Sequence, residues 1–433
     1  MQTIAGFPYC EIAFDDDGRP LDAQQASRNV DEIAQSNLTD VFIFSHGWNN
    51  DRSDAREVYR RFFESARRVL EARPAPSSRP GIVGVLWPSI LFPDDVPEPD
   101  AGGPASFDST TGSGDPIAEL EKVFPDKIDT LQELGRLLRD RPEDIEELRR
   151  FQTLLRDLAP ASSTDEGSAE RGVLTEDTEE VFEALSTLAP PEDRAAAAGL
   201  MDRFATLWTG AKEALRVTSY WMMKERAGHV GERGVGPFVA SLHAAAPALR
   251  VHLIGHSFGA RLVSFALKGL PGSFVGPASP VKSLTLLQGA FSHFAFAEKL
   301  PHDETRSGGL RSMAGRVDGP IVVTHSRHDL AVCERYPQAS LLSRDDAAAL
   351  DAVRYRFGAM GGDGAQAVTA AERRFGAIGE AYAFEKGKFV NLNGDDLITR
   401  GQPPSGAHSD IFYEEIAWAV LQASGVVPAG QGV

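Results

Sequence analysis

The sequence predicts an α/β protein of three layers, with a mostly parallel sheet between two layers of helices. Short apolar runs alternate along the chain with stretches whose apolar residues recur at helical spacing. Several of these runs are continuous, which is typical of parallel strands that are covered on both faces. With 433 residues, of which 42% are hydrophobic, the chain is long enough for one large domain or two ordinary ones.

The first part of this core spans residues 1–90. Tyr9–Phe14 alternates and predicts a strand, and Asp40–Ser45 predicts a buried strand that leads into His46-Gly47-Trp48. The next buried strand is predicted at Gly81–Trp87. A helix between the two buried strands is indicated by one apolar stripe, formed by Ala55, Val58, Phe62, Ala66, Val69 and Leu70. Strand, helix and strand in this order imply parallel pairing with a right-handed crossover.

Residues 91–207 interrupt this rhythm and predict an all-helical insertion, which would lie over the carboxyl ends of the strands as a lid. Three stretches there have an apolar face at helical spacing: Ile128–Leu138, Ile145–Leu158 and Val181–Leu188. Residues 91–175 are also strongly acidic, with 20 acidic and 9 basic residues, against a net charge of −18 for the whole chain. This uneven charge marks a separate segment. The second part of the core is predicted at residues 208–433.

The strongest functional signal is a serine at a predicted junction of strand and helix. Val251–Ile254 predicts a buried strand, residues 255–259 read Gly-His-Ser-Phe-Gly, and Arg261–Lys268 has helical spacing. A serine on so tight a turn has a strained backbone, and glycines are needed on either side because the chain passes too close to the following helix for a Cβ atom. The N-terminus of the helix adds partial positive charge where an oxyanion would form.

With these residues in this setting, the chain resembles the α/β-hydrolase superfamily, in its lipase- and esterase-like serine branch. The resemblance covers residues 1–90 and 208–433 and does not extend to the helical insertion. It implies a three-layer α/β-hydrolase fold, and it makes Ser257 the nucleophile.

A serine nucleophile needs a histidine within hydrogen-bond reach and an acid that orients the histidine. In this superfamily the acid follows the serine along the chain, and the histidine follows the acid. Asp329 comes soon after the predicted strand Gly319–His325, and His408 lies in the loop after the last predicted strand, Gly387–Asn393. Because the carboxyl ends of parallel strands share one edge of a sheet, Ser257, Asp329 and His408 are expected to converge.

Two features beside His408 complete this region. Asp395 and Asp396 lie between the last predicted strand and His408, so they are alternative candidates for the acid. A closing helix is predicted after His408, with Ser409 or Asp410 as its N-cap. Its apolar face would be formed by Ile411, Phe412, Ile416, Val420 and Leu421.

The resemblance also implies an oxyanion hole made of two backbone amides. One amide is that of Phe258, directly after the nucleophile. The other is assigned to Trp48, because His46-Gly47-Trp48 resembles the HG-type motif of lipases and esterases. Phe291 and Phe294 are candidates to line an acyl pocket, although aromatic residues at such spacing more often belong to a core. Such a site requires neither a metal nor an organic cofactor.

The composition argues against several other classes of protein. The net charge of −18, without a local basic patch, disfavours binding to nucleic acid or anionic lipid. No apolar run approaches the roughly 18 residues of a membrane span, so no integral membrane association is expected. Met1–Phe14 lacks the layout of a signal peptide, which predicts a cytoplasmic protein. Cys10 and Cys333 are too few for a disulfide framework or a thiolate metal site.

Together these observations predict a serine hydrolase that cleaves carboxylic esters through an acyl-enzyme intermediate, with a small-molecule or acyl-ester substrate. Thioester hydrolysis and amide or peptide hydrolysis use the same machinery and stay open as alternatives. A competing hypothesis is a non-catalytic binding protein that retains the fold, since a fold does not determine function.

Overall fold

A nine-stranded sheet forms the centre of the computed structural model. The residues that the structure describes are 1–48, 50–73, 77–89, 116–159, 177–187, 189, 203–335, 355, 358–402 and 405–428. The strands are β1 Gln2–Ile4, β2 Phe7–Ala13, β3 Asp40–Ser45, β4 Pro80–Leu86, β5 Arg250–His256, β6 Val281–Leu287, β7 Ile321–His325, β8 Ala370–Arg374 and β9 Phe389–Asn393. Their order across the sheet is β1-β2-β4-β3-β5-β6-β7-β9-β8. Only β1 pairs antiparallel, so the predicted α/β class with a mostly parallel sheet is confirmed.

Helices connect and cover these strands. They are α1 Ala23–Gln35, α2 Arg52–Glu71, α3 Pro116–Val123, α4 Ile128–Asp140, α5 Ile145–Leu158, α6 Thr178–Ser186, α7 Arg203–His229, α8 Gly236–Ala245, α9 Phe258–Ala266, α10 Met360–Asp363 and α11 Glu414–Ser424. A π-helical stretch, Val230–Val235, joins α7 to α8. Among the described residues, no helix combines the length and the apolar character needed to cross a membrane.

The central strands bury both of their faces. In β3, Val41 and Ile43 belong to one hydrophobic cluster, whereas Phe42 and Phe44 belong to another. Successive side chains of a strand point to opposite faces, so the two clusters lie on opposite sides of the sheet. Helices α7 and α9 contribute to the first cluster, and α2 and α11 contribute to the second. This double coverage is the reason that the strand sequences are continuously apolar.

The described parts of residues 91–207 are mainly helical and pack against α7. Trp208 of α7 meets Phe151 of α5 edge to face, with ring centroids 5.7 Å apart. Gly210 lies directly against α6, since a Cβ at this position would be 1.7 Å from the carbonyl oxygen of Phe182. Because α7 runs without a break from Arg203 to His229, the predicted boundary at residue 207 falls inside one continuous helix.

The sequence reasoning missed both edge strands and several helices, among them α1 and α8. β1 has only three residues, and β8 reads Ala-Ala-Glu-Arg-Arg, so neither shows the apolar pattern of a buried strand. Charged residues such as Glu372 and Arg373 are common at sheet edges, where they discourage pairing with other chains. Helix α1 consists mostly of polar residues and buries only Asn29 and Ile33, which explains why its apolar stripe is weak in the sequence.

The predicted N-cap of the closing helix is wrong. Helix α11 begins at Glu414, after Tyr413, so Ile411 and Phe412 precede the helix. Asp410 instead accepts hydrogen bonds from the backbone amides of Thr399 and Arg400, at 3.0 and 2.8 Å. A carboxylate that caps amides of another loop is not distinguishable from a helix cap in the sequence, because both positions favour aspartate.

Candidate active site

The turn between β5 and α9 carries Ser257 on a strained backbone. Its φ and ψ are 57° and −122°, a region that residues other than glycine rarely adopt. The flanking glycines are required by space. A Cβ at Gly255 would lie 2.2 Å from the carbonyl oxygen of Gly259, and a Cβ at Gly259 would lie 2.1 Å from that of Ser45. Strain of this kind persists only where the surrounding structure enforces it.

The structure brings together the serine, the histidine and the aspartate that the sequence placed on separate loops. His408 Nε2 lies 2.8 Å from Ser257 Oγ. His408 Nδ1 lies 2.8 Å from Asp329 Oδ2 and 3.0 Å from Oδ1. All three residues are buried, with Asp329 fully enclosed and the other two 4% exposed. Ser257 directly follows β5, Asp329 lies on the loop after β7, and His408 lies on the loop after β9.

The hydrogen bonds assign the tautomer of the histidine. The carboxylate of Asp329 can only accept, so His408 Nδ1 is protonated. In the neutral ring Nε2 then carries a lone pair, and Ser257 Oγ–H donates to it. Nε2 is therefore placed to take the serine proton, and the carboxylate is placed to stabilise the imidazolium that forms.

The loops that hold His408 and Asp329 are joined through their backbones. Asp329 and Gly406 form an antiparallel bridge. The amide of Ala407 donates to the carbonyl of His328 at 2.8 Å. The relative position of the histidine and the acid is thus fixed by main-chain pairing next to both residues.

His256, directly before Ser257, supports the backbone of His408. Its Nε2–H donates to the His408 carbonyl oxygen at 2.8 Å, and the two rings are 5.0 Å apart. Burial and the charge that His408 can carry lower the pKa of His256 to about 3. An imidazole with this pKa is neutral and a weak base, so His256 orients rather than accepts the proton.

The loop after β3 lies against the nucleophile. A Cβ at Gly47 would be 2.8 Å from Ser257 Cβ, so the loop reaches this position only with glycine. His46 braces the loop: its Nδ1–H donates to the Gly47 carbonyl at 2.9 Å, and its ring stacks on Trp87. Burial lowers the pKa of His46 to about 4, so this ring is also neutral near pH 7.

The two residues assigned to the oxyanion hole lie beside this serine. Phe258 is the first residue of α9, and amides in the first turn of a helix have no partner within the helix. Trp48 follows Gly47, and its ring lies 6.2 Å from that of Phe258. Tyr220 of α7 contacts both rings, at 4.7 Å from Phe258 and 5.6 Å from Trp48. The sequence reasoning missed this aromatic contact, because Tyr220 reads as one of many apolar residues of a buried helix.

Phe291 and Phe294, predicted to line one acyl pocket, lie in different clusters. Phe291 is fully buried in the larger core cluster on one face of the sheet. Phe294 belongs to a small separate cluster with Ala297 and Leu300. Both therefore have packing partners in the core, and their role toward a substrate stays a prediction.

The alternative acids for the site pair with arginines. Asp395 forms an ion pair with Arg327 at 3.0 Å and accepts a hydrogen bond from its amide. Asp396 pairs with Arg374. Asp329 is thus the acid that contacts His408.

One further residue contacts this acid. Gln288, the first residue after β6, is fully buried, and its Nε2–H donates to Asp329 Oδ2 at 3.0 Å. The sequence reasoning missed its role, although Gln288 directly follows β6 at the same edge of the sheet as the other site residues.

Among the residues that the structure describes, no group of three or more histidines, cysteines or acids is placed to hold a metal ion. Comparisons of this chain with protein-family models, with curated proteins and with solved structures gave no match.

Proposed function

We propose that this chain is a serine hydrolase of the α/β-hydrolase type, which cleaves carboxylic esters through an acyl-enzyme intermediate. The observation that carries the proposal is the hydrogen bond of 2.8 Å between Ser257 Oγ, on its strained turn, and His408 Nε2. A buried serine whose only purpose was helix capping would not need a backbone outlier, two obligatory glycines and an oriented imidazole.

The geometry supports a two-step acyl transfer. Ser257 Oγ attacks the carbonyl carbon of the ester while its proton passes to His408 Nε2. The tetrahedral intermediate then collapses, and the imidazolium returns the proton to the departing alcohol. A water molecule attacks the acyl-serine with His408 again as the base, which releases the acid and restores the serine. Asp329 stays ionised throughout and stabilises the imidazolium of each step.

Charge on the carbonyl oxygen would be stabilised at the N-terminus of α9. The Phe258 amide stands in the first turn of this helix, where the helix dipole adds partial positive charge. The loop through Gly47 and Trp48 runs along the other side of Ser257 and would supply the second amide. Loss of one such donor typically costs about 3–4 kcal/mol of transition-state stabilisation. The helices of residues 91–207 would form the lid that determines which substrates enter.

Labelling with a fluorophosphonate tests the proposal directly. Folded wild-type protein is expected to form one adduct, mapped by peptide mass spectrometry to Ser257, and Ser257→Ala is expected to form none. A panel of p-nitrophenyl esters of graded acyl length, with acyl-thioester and peptide substrates in parallel, defines the bond that is cleaved. Absence of an adduct on folded wild-type protein would instead favour a binding protein that keeps the fold.

A further inference from the structure

We propose that Gln288, oriented by Thr324, is a positioning residue that holds the carboxylate of Asp329 in line with His408. The inference rests on the proposed function, because it assigns a role within that same triad. It adds a fourth and a fifth residue whose side chains touch no substrate, and whose effect on the reaction would pass entirely through the acid.

Gln288 makes this contact from a strained backbone. Its φ is 45°, in the left-handed region that favours glycine. The residue follows β6 directly, and its side chain is fully buried. Backbone outliers of this kind gather at functional sites, where the surrounding structure imposes them.

Thr324 holds the other end of the Gln288 amide. The backbone N–H of Gln288 donates to Thr324 Oγ1 at 3.1 Å. The Thr324 hydroxyl in turn donates to Gln288 Oε1 at 2.8 Å. Asp329 Oδ2 and the carbonyl of Gly361 can only accept, so the NH₂ group must face them, and Oε1 is left to accept from the Thr324 hydroxyl. A flipped amide would set Oε1 against both of these acceptors.

The contact is made to the oxygen of the acid that lies closer to the histidine. Asp329 Oδ2 accepts from Gln288 at 3.0 Å and from His408 Nδ1 at 2.8 Å. The other oxygen, Oδ1, accepts from the Val332 amide at 3.3 Å. The donors other than His408 are neutral amides. They fix the carboxylate in place and leave its full negative charge to stabilise the imidazolium.

Removal of the amide is expected to lower kcat and leave KM unchanged. Without the donor on Oδ2, the carboxylate can turn about its Cβ–Cγ bond, and His408 loses its orientation toward the serine. Gln288→Met keeps the length and the unbranched shape of the side chain without its donor. We expect kcat to fall about tenfold to 100-fold, the usual effect of losing an outer hydrogen-bond partner that helps to orient a functional histidine. The proton resonance of His408 Nδ1–H at low field should shift or broaden in the same variant.

Thr324 supplies an independent test and a matched control. Thr324→Val removes the hydroxyl and should lower kcat similarly, while Thr324→Ser, which retains it, should restore wild-type kcat. The control is Thr285→Val, because Thr285 is a buried residue of β6 whose hydroxyl has no hydrogen-bond partner among the described residues. This change should leave kcat unaffected. The double variant Gln288→Met/Thr324→Val should be no slower than Gln288→Met alone, since both changes remove one function.

The outcomes separate this inference from the proposed function. Fluorophosphonate labelling of wild-type Ser257 tests the function by itself. If wild-type protein labels and turns over esters, but folded Gln288→Met keeps kcat within twofold of wild type, the positioning role is wrong and the hydrolase stands. An equal fall of kcat in Thr285→Val would also overturn it, because the effect would then be general to the sheet.

Discussion

The sheet holds two hydrogen-bonded triplets of serine, histidine and aspartate, one at each end of its parallel strands. At the amino end, His252 Nδ1 lies 2.9 Å from Ser283 Oγ, and Nε2 lies 3.0 Å from Asp40 Oδ1. The corresponding distances at the candidate active site are both 2.8 Å. All six residues are buried, so neither distance nor burial distinguishes the two triplets.

The backbone distinguishes them. At the amino end, His252 and Ser283 are aligned by the register of β5 and β6, and Asp40 begins the neighbouring strand β3. All three belong to strands, and none of them has a positive φ. At the carboxyl end, Ser257 sits on a strained turn at the start of a helix, and His408 lies on a loop. Only the second setting places a serine hydroxyl beside helix amides of the kind that can stabilise an oxyanion.

The aspartates of the two triplets also differ in the partners that their charge attracts. Asp40 binds the Thr39 hydroxyl at 2.6 Å and Arg250 at 3.4 Å as well as His252. Burial raises the pKa of Asp40, but these partners together lower it below its ordinary value. Burial lowers the pKa of His252, although Asp40 partly opposes this effect. In the amino-end triplet, a neutral histidine therefore connects three strands. We expect the role of this triplet to be structural.

The largest expected difference is in catalysis. Ser257→Ala should lower kcat for a p-nitrophenyl ester by about 10⁴-fold to 10⁶-fold, as expected when the nucleophile of such a triad is removed. Ser283→Ala should keep wild-type kcat and wild-type labelling by the fluorophosphonate. Steady-state kinetics of the two variants, with circular dichroism to verify folding, gives the comparison. Loss of activity in Ser283→Ala with the fold intact would show that the amino-end triplet is not merely structural.

The second difference is in stability. His252→Leu leaves the buried carboxylate of Asp40 without its imidazole partner. We expect the free energy of unfolding to fall by about 1–3 kcal/mol, the usual cost of leaving a buried polar group without a hydrogen-bond partner. The kcat of the folded fraction should not change. Urea unfolding and esterase assays on the same preparation measure both quantities, and a loss below about 1 kcal/mol would contradict the structural role.

The same contrast explains which of these residues could be predicted from the sequence. Ser257, His408 and Asp329 were predictable because each follows a strand signal, and because the resemblance supplies their order. His252 and Asp40 were not, since they are 212 positions apart and meet only through strand register. Gln288 was missed for a similar reason, as its partner Asp329 lies on the loop after the next strand of the sheet. Local patterns identify strands and turns, whereas contacts across strands depend on register, which the sequence leaves open.

At the carboxyl end of the strands, we expect His256 to make the free energy of unfolding depend on pH. The ordinary pKa of histidine is about 6.5, and in the folded protein burial lowers that of His256 to about 3. Between these values the unfolded chain binds the additional proton, so the free energy of unfolding falls as the pH falls below 6.5. One such group accounts for about 2 kcal/mol between pH 8 and pH 5.

The variant His256→Gln retains an N–H donor for the carbonyl of His408 and removes the titrating ring. Its loss of stability between pH 8 and pH 5, followed by urea unfolding, should be about 2 kcal/mol smaller than in wild type. The control is His328→Gln, because the ring of His328 is exposed. A pH dependence identical to wild type in His256→Gln would show that this histidine does not limit acid stability.

The smallest expected effect has opposite signs at the two serines. Glycine relieves the strain of a positive φ, so Ser257→Gly should raise the free energy of unfolding by about 1 kcal/mol while abolishing activity. Ser283 lies in a strand without a positive φ and bonds His252, so Ser283→Gly should lower the free energy of unfolding by about 1–2 kcal/mol. Chemical denaturation of both variants at pH 7 measures the pair. If Ser257→Gly destabilised the protein as Ser283→Gly does, the turn would not be strained, and the backbone contrast between the two ends of the sheet would fail.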